Sequence, residues 1–178
     1  MKLMIKRLCI LGCCLTLAAC GSVKVEDYAE KKPEMVVQDF FKGELVAHGI
    51  LKDRGGKVIR HFNATISASW KDGIGILDEN FVFDDGEKQQ RVWTLAPGNQ
   101  GEYIGTANDV VGESKLAVSG NSVFLRYTLR IPYDDGTIDV DVDDRMYLVT
   151  ERVLLNESSM TKWGVEVGQL TLVIMKID

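Results

Sequence analysis

The sequence contains few of the residues that cross-link a chain, interrupt strands or perform acid–base chemistry. It has four cysteines, three prolines and two histidines in 178 residues. The cysteines are Cys9, Cys13, Cys14 and Cys20, so none occurs after position 20. The rest of the chain therefore has no thiol for a disulfide or for a thiolate metal site.

Long apolar runs are also missing. The first candidate, Leu8 to Ala19, has twelve apolar or small residues, whereas a membrane-spanning helix needs ~20. Because this run follows three basic residues, residues 1–19 are predicted to be a secretory signal peptide. Its end, Leu17-Ala18-Ala19-Cys20, resembles the lipobox of bacterial lipoproteins, which implies that Cys20 becomes lipid-modified and N-acylated after cleavage.

The chain after the signal divides into a short polar segment and one domain. Residues 20–32 carry many charges and few apolar side chains, so we expect an acylated tether. Residues 33–178 have the length of a single domain. Gly21 and Ser22 carry no charge, whereas Asp after an acylated Cys resembles an inner-membrane retention signal. We therefore expect attachment through acyl chains to the outer membrane of a Gram-negative bacterium, on its periplasmic face.

Charge and motifs argue against several functions. Three of the 21 basic residues and none of the 26 acidic residues lie in the signal, which leaves 18 basic and 26 acidic residues and a net charge of −8. This acidic balance gives no indication of nucleic acid binding. No Gly-x-Ser-x-Gly elbow, phosphate loop or His-Glu-x-x-His motif occurs, so we expect no catalytic residue, metal or cofactor.

One short helix is predicted before a long series of strands. Pro33 suits a first helical turn, and Val36/Phe40 and Val37/Phe41 have i, i+4 spacing. After residue 42 the hydrophobic pattern has a period of two. This pattern predicts ten strands, at residues 43–51, 58–70, 74–83, 87–96, 102–110, 122–132, 137–142, 146–151, 153–160 and 165–176.

Tight turns join many of these strands. Asp72-Gly73, Asp85-Gly86 and Asp135-Gly136 are pairs typical of hairpin turns. Consecutive strands joined in this way are antiparallel neighbours. Ten of them in one open sheet would leave two edges, which closure removes. The predicted fold is all-β, an antiparallel up-and-down meander that closes into a barrel, with one short N-terminal helix.

The turn lengths indicate which residues face the interior. With a three-residue loop at 84–86, Glu79 lies opposite Arg91. Asp109 also points inward on this register, and since buried charges are costly unless paired, we expect Glu79, Arg91 and Asp109 to pair with one another. Trp93 is expected opposite Gly105, where small residues leave room. The inward candidates for a ligand site or for a structural ion-pair network are Trp70, Glu79, Phe81, Arg91, Trp93, Tyr103 and Asp109.

Aspartates alternate with apolar residues over residues 138–143. Asp139, Asp141 and Asp143 begin like a calcium loop, but Asp144 occupies the position that requires Gly. A strand with one solvated face explains the stretch better.

Several segments together resemble a known family. They are FFKGELVAHGILKDRGGKVIRHF, LDENFVFDDGEKQQRVW, NDVVGE, RIPYDDG, MYLV and MTKWGVEVGQLTLVIMK, and they extend from Phe40 to Lys176. The combination is similar to the proteobacterial lipoprotein family catalogued as domain of unknown function 3833. The resemblance implies a lipocalin-like barrel and, through neighbouring genes, an association with fatty-acyl modification. It assigns no role to any residue.

Three functions remain open at this point. In the first, the barrel binds or shields a lipid or another apolar small molecule. In the second, side chains fill the barrel and its outer surface contacts an envelope protein. In the third, the protein assists fatty-acyl modification. The interior volume separates the first two, because ~300 Å³ or more is typical of a ligand pocket.

Overall fold

A computed structural model describes residues 22–99 and 101–177. The predicted signal peptide and Cys20 therefore lie outside the described residues. The elements are a 3₁₀ helix at Val25–Tyr28, helix α1 at Val37–Phe40, and strands β1 Gly43–Asp53, β2 Val58–Lys71, β3 Ile74–Phe83, β4 Lys88–Pro97, β5 Tyr103–Ala107, β6 Val110–Ser119, β7 Ser122–Tyr133, β8 Gly136–Thr150, β9 Val153–Lys162 and β10 Val165–Lys176.

The ten strands form one closed antiparallel barrel. Each strand pairs with the next along the chain, and β1 pairs with β10 from Leu45 opposite Lys176 to Asp53 opposite Gly168. Closure satisfies the backbone groups that an open sheet would leave at its two edges. The predicted up-and-down barrel is confirmed.

Two strand predictions were wrong, and their errors cancel in the count. Strand β6 was not predicted, because its pairing with β7 shifts between Val111 and Lys115 and the period of two is interrupted there. Strand β8 is continuous across the predicted break between residues 142 and 146. The buried Asp144 caused this error, since a carboxylate at an inward position interrupts the apolar pattern.

Helix α1 closes one end of the barrel, which we call the closed end. Met35, Val37, Phe40 and Phe41 are buried and belong to the same core as the barrel interior. The Met35 amide donates to the Gly120 carbonyl in the turn between β6 and β7, which fixes this segment to the barrel. The helix begins at Val37 rather than near Pro33, so it is shorter than expected.

The segment expected to be a tether is partly folded. Val25 is buried, and the Tyr28 ring lies 5.7 Å from the Phe124 ring and 5.3 Å from the Tyr147 ring. These two apolar side chains, set among charged residues, hold the 3₁₀ helix against the outer wall of the barrel. The boundary between tether and domain stays a prediction, but contact with the barrel begins well before residue 33.

The predicted register is correct from β2 to β4 and wrong in one later pair. Glu79 lies opposite Arg91, as expected. Trp93 lies opposite Ala107, however, and Gly105 lies opposite Leu95. The loop between β4 and β5 therefore shifts the pairing by two residues, which leaves the same side chains facing inward.

Glycines in the wall do not leave empty space. A Cβ atom at Gly75 would lie 2.6 Å from the Trp70 ring, and one at Gly105 would lie 2.9 Å from Leu116 Cδ1 and 3.2 Å from the Trp93 ring. The expected room over Gly105 is thus occupied by side chains from neighbouring strands. Large rings packed over small residues fill much of the interior.

Candidate functional site

The barrel interior contains a cavity of about 90 Å³. Its apolar wall includes Ala47, Ile66, Leu77, Phe81, Trp93, Leu116, Leu172 and Ile174. Its polar groups are Glu79, Arg91, Tyr127, Asp144 and Asn156, contributed by strands β3, β4, β7, β8 and β9. Polar groups from five strands therefore converge on one small space surrounded by hydrocarbon.

The cavity is smaller than a lipid-binding barrel would require. Pockets for drug-sized ligands span ~300 to 1,000 Å³, and the observed volume of about 90 Å³ is well below that range. A single water needs ~10 to 15 Å³ of such space. The cavity has room for a small apolar group or for one end of a longer molecule.

Arg91 is paired with Asp109 and not with Glu79. Its Nε donates to both carboxylate oxygens of Asp109 at 3.0 and 2.9 Å, and a terminal nitrogen lies 2.8 Å from Oδ2. Because Trp93 lies opposite Ala107, extending the same register brings Asp109 opposite Arg91. Burial alone would lower the pKa of Arg91, but the hydrogen bonds to Asp109, together with the electrostatic interactions with Tyr127, Glu79 and Asp109, raise the pKa. Of the three inward charges that were expected to pair with one another, Arg91 and Asp109 form an ion pair, and Glu79 takes no part in it.

Glu79 faces the cavity without a protein hydrogen bond. Among residues 22–99 and 101–177, no group donates to its carboxylate and no cation lies within ion-pair distance. Burial raises the pKa of Glu79 to about 7, although the charge of Arg91 opposes the shift. The carboxylates of Asp144, Asp109 and Asp78 raise it further. At neutral pH this group is therefore divided between its charged and neutral forms.

Asp144 is the second interior carboxyl group, and it is well supported. It accepts hydrogen bonds from Asn156 Nδ2, from Ser158 Oγ at 3.1 Å and from the Tyr127 hydroxyl at 3.3 Å. Burial raises the pKa of Asp144, and these hydrogen bonds oppose the shift. Burial likewise raises the pKa of Tyr127. The hydroxyl of Tyr127 therefore stays protonated and serves as a donor.

The structure separates the predicted site residues into three groups. Glu79, Phe81, Arg91 and Trp93 line the cavity. The Trp70 and Tyr103 rings contact each other at 5.8 Å, and Trp70 Nε1 donates to the Phe41 carbonyl at the closed end. Asp109 does not line the cavity but forms an ion pair with Arg91, which does. The seven inward positions thus lie in the cavity, in the ion pair beside it or at the closed end of the barrel.

Sequence reasoning missed three polar residues of the cavity. Tyr127, Asp144 and Asn156 each share the inward face with apolar neighbours two positions away, as Asp144 does with Val142 and Met146. Extending the alternation through residue 144 would have found that carboxyl group. The predicted strand break prevented it.

Two further properties concern metals and membranes. Within the described part of the chain, no group of three or more His, Cys, Asp and Glu side chains is arranged to hold a metal ion. None of the helices in those residues has the length and hydrophobicity needed to cross a bilayer.

A closed meander with an interior cavity is the architecture of a lipocalin-like barrel. The chain belongs to the family described as protein of unknown function (DUF3833), which residues 14–176 match. This is the family that the sequence resembled. No curated protein matches the chain.

Solved structures of other proteins share the barrel. The S-type phycobiliprotein lyase CPES from Guillardia theta has 12% sequence identity and a TM-score of 0.59, with 88% of this chain and 99% of the lyase chain covered. A DUF3598 family protein of unknown function from Nostoc punctiforme PCC 73102 has 12% identity and a TM-score of 0.58. That comparison covers 83% of this chain and 51% of the other. At such low identity the similarity shows the fold alone.

Proposed function

We propose that the protein binds a small, largely apolar molecule inside its barrel. The observation that supports this most directly is the Glu79 carboxylate, which faces an apolar cavity and accepts no hydrogen bond from any described residue. An unpaired carboxyl group costs several kcal/mol to bury. A barrel whose interior served stability alone would gain by replacing it with a leucine or a glutamine.

The composition of the walls supports the same function. Small-molecule sites combine a mainly hydrophobic surface with a few polar groups that fix orientation. Here Leu77, Trp93 and Leu172 lie beside Glu79 and Asp144 around one space. CPES, by its name, is a lyase that concerns phycobiliproteins, so the same barrel occurs in a protein with a specific biochemical task.

We also propose that the binding takes place at the cell envelope, with the protein anchored through Cys20 to the periplasmic face of the outer membrane. The lipobox-like sequence ending at Cys20 supports the anchor. Labelled palmitate should enter the protein, and Cys20→Ala should abolish labelling and leave a larger precursor. Equal labelling of the variant, or fractionation with inner-membrane markers, would contradict the anchor or its location.

The binding function is tested by filling the cavity. Ala47 lines it, and Ala64 lies opposite Ala47 in the adjacent strand, buried but outside the cavity wall. Native mass spectrometry of protein purified from its own host should detect a bound small molecule. Ala47→Leu should remove that molecule while the barrel stays folded, because the added methyl groups enter empty space.

Ala64→Leu is the matched control for this experiment. Its added atoms have no cavity to enter, so it should lower stability without specifically displacing the ligand. A folded wild-type protein that carries no small molecule from its host and binds none of a set of apolar probes would refute the proposal.

The small volume favours a second candidate function. A cavity of about 90 Å³ is compatible with a mostly filled barrel that contacts another envelope protein through its outer surface. Under that function Ala47→Leu would raise stability and leave activity in the host unchanged. Crosslinking in intact cells that captures the same protein with wild type and Ala47→Leu would favour it.

A further inference from the structure

The ionisable groups around the cavity have an unbalanced charge. Of the described side chains that line it, Arg91 is the sole cation, and Asp109 already neutralises it through a salt bridge of 2.8 Å. Two further carboxyl groups, Glu79 and Asp144, face the same space. Among the groups in and beside the cavity wall, carboxyl groups therefore outnumber cations.

The part of the chain that the structure describes places no second cation beside Glu79. Strand β4 presents Arg91, strand β7 presents Tyr127, strand β8 presents Asp144, and the turn after β5 presents Asp109. The neighbouring Asp78 lies on the other face of β3, where its Oδ1 accepts from two amide side chains. Every charged group that acts on Glu79, apart from the neutralised arginine, is a carboxyl group.

The two interior carboxyl groups differ in how many acceptor positions remain. Asp144 already accepts from Asn156, Ser158 and Tyr127. Glu79 accepts from no described protein group, so both of its oxygens are available to a molecule in the cavity. A donor that reaches Glu79 would also be attracted by the nearby charge of Asp144.

We propose that the ligand has a protonated amine on a short apolar body, with the ammonium bound by Glu79 and the hydrocarbon packed among Leu77, Trp93 and Leu172. This inference rests on the proposed binding function and specifies its ligand class. Hydrogen bonds between an ammonium and a carboxylate are shorter and stronger than neutral ones. An anionic head group, such as that of a fatty acid, would instead lie beside two carboxyl groups, where charge repulsion disfavours it.

The proposal predicts a specific pH dependence. An ammonium binds Glu79 in its ionised form, so affinity should rise with pH as Glu79 loses its proton. With half-ionisation near pH 7, the ionised fraction and hence the affinity should increase about tenfold between pH 6 and 8. A carboxylate ligand should show the opposite trend, and a neutral alcohol should show little change.

Three matched probes test the ligand class. Hexylamine, 1-hexanol and hexanoate share one hydrocarbon chain, and the two ionic probes keep their charge between about pH 6 and 8. Each is titrated into the processed full-length protein in phosphatidylcholine nanodiscs. The readout is the fluorescence of Trp93, which lines the cavity. Trp93→Phe identifies the part of the signal that comes from this residue.

Two glutamine variants complete the experiment. Glu79→Gln should weaken hexylamine binding at least tenfold at pH 8 and abolish its pH dependence, while hexanol binding stays within twofold. Glu113→Gln is the control, since Glu113 is exposed on β6 and lies outside the cavity wall. It should leave all three probes unaffected.

The outcomes distinguish this inference from the proposed function. Hexylamine binding that is tighter than hexanoate binding and rises with pH supports the ammonium site. If hexanoate binds as tightly as hexylamine or more tightly, the ligand class is wrong and the binding function stands. The same conclusion follows if Glu79→Gln leaves the affinity for hexylamine unchanged. If none of the three probes binds wild type, both proposals fail.

Discussion

Replacing Glu79 by glutamine should stabilise the folded protein at neutral and alkaline pH. Burial raises the pKa of Glu79 from 4.5 to about 7 in the folded state. In the unfolded chain the group keeps its ordinary pKa. Between these two values the folded protein binds more protons than the unfolded chain, so its stability falls as the pH rises.

The size of the effect follows from the shift. Each pKa unit corresponds to ~1.4 kcal/mol, so the shift from 4.5 to about 7 gives a loss of about 3 kcal/mol across that window. The contribution of Glu79 is complete below pH 4.5, decreases through the window and is constant above pH 7. Glutamine has a similar shape and no charge to desolvate, so the variant should lack this loss.

Urea unfolding from about pH 4.5 to 8.5 measures the effect directly. The free energies of unfolding of wild type and Glu79→Gln should diverge with rising pH, with the variant the more stable by about 3 kcal/mol at pH 8. Other titrating groups contribute to both proteins and cancel in the difference. Glu113→Gln, on the outer surface, should follow the wild type. Parallel curves for wild type and Glu79→Gln would refute the assignment of a desolvated Glu79.

Three further predictions concern stability measured by urea unfolding. Arg91→Met should cost ~2 to 3 kcal/mol, because it leaves the Asp109 carboxylate partly buried without a cation, and Asp109→Leu in the same chain should recover most of this. Gly75→Ala should cost ~1 to 3 kcal/mol, because its methyl group would lie 2.6 Å from the Trp70 ring. Tyr28→Ala should cost ~1 to 3 kcal/mol through the loss of two aromatic contacts.

Each of these has an outcome that would contradict it. An Arg91→Met effect under ~0.5 kcal/mol would indicate a solvent-screened surface pair. For Gly75→Ala, the control is the double variant with Trp70→Phe, which should recover stability; no recovery would show that the ring is not the cause. A Tyr28→Ala protein with unchanged stability and unchanged protease sensitivity before residue 33 would show that the 3₁₀ helix is not held by its ring.

The sequence was informative where turns were short and patterns regular. The loop at residues 84–86 has three residues and a left-handed Gly86, so the pairing of Glu79 with the strand that carries Arg91 could be predicted. The barrel topology followed from a series of such turns. Short loops restrict strand register to few choices, and the period of two then assigns each side chain to a face.

Prediction failed where pairing is irregular or where a polar residue faces inward. The longer loop between β4 and β5 allowed a shift that moved Trp93 from Gly105 to Ala107. That shift also decides which acid meets Arg91, because Asp109 lies opposite it only in the observed register. Asp144 was assigned to a break between strands because a buried carboxylate inside a strand was not expected. It is accommodated there by hydrogen bonds that its carboxylate accepts from Tyr127, Asn156 and Ser158 on other strands. Such long-range hydrogen bonds leave no local pattern in the sequence.

The pairing of β1 with β10 has a consequence for how the protein folds in the cell. The strand made first in the domain completes its hydrogen bonds only with the strand made last, as Leu45 opposite Lys176 shows. Folding rates fall as contacts connect residues farther apart in sequence. Because the chain is synthesised from its N-terminus, both edges of the meander stay exposed until the last strand has been made. Deletion of β10 should therefore give an aggregating product rather than a smaller barrel.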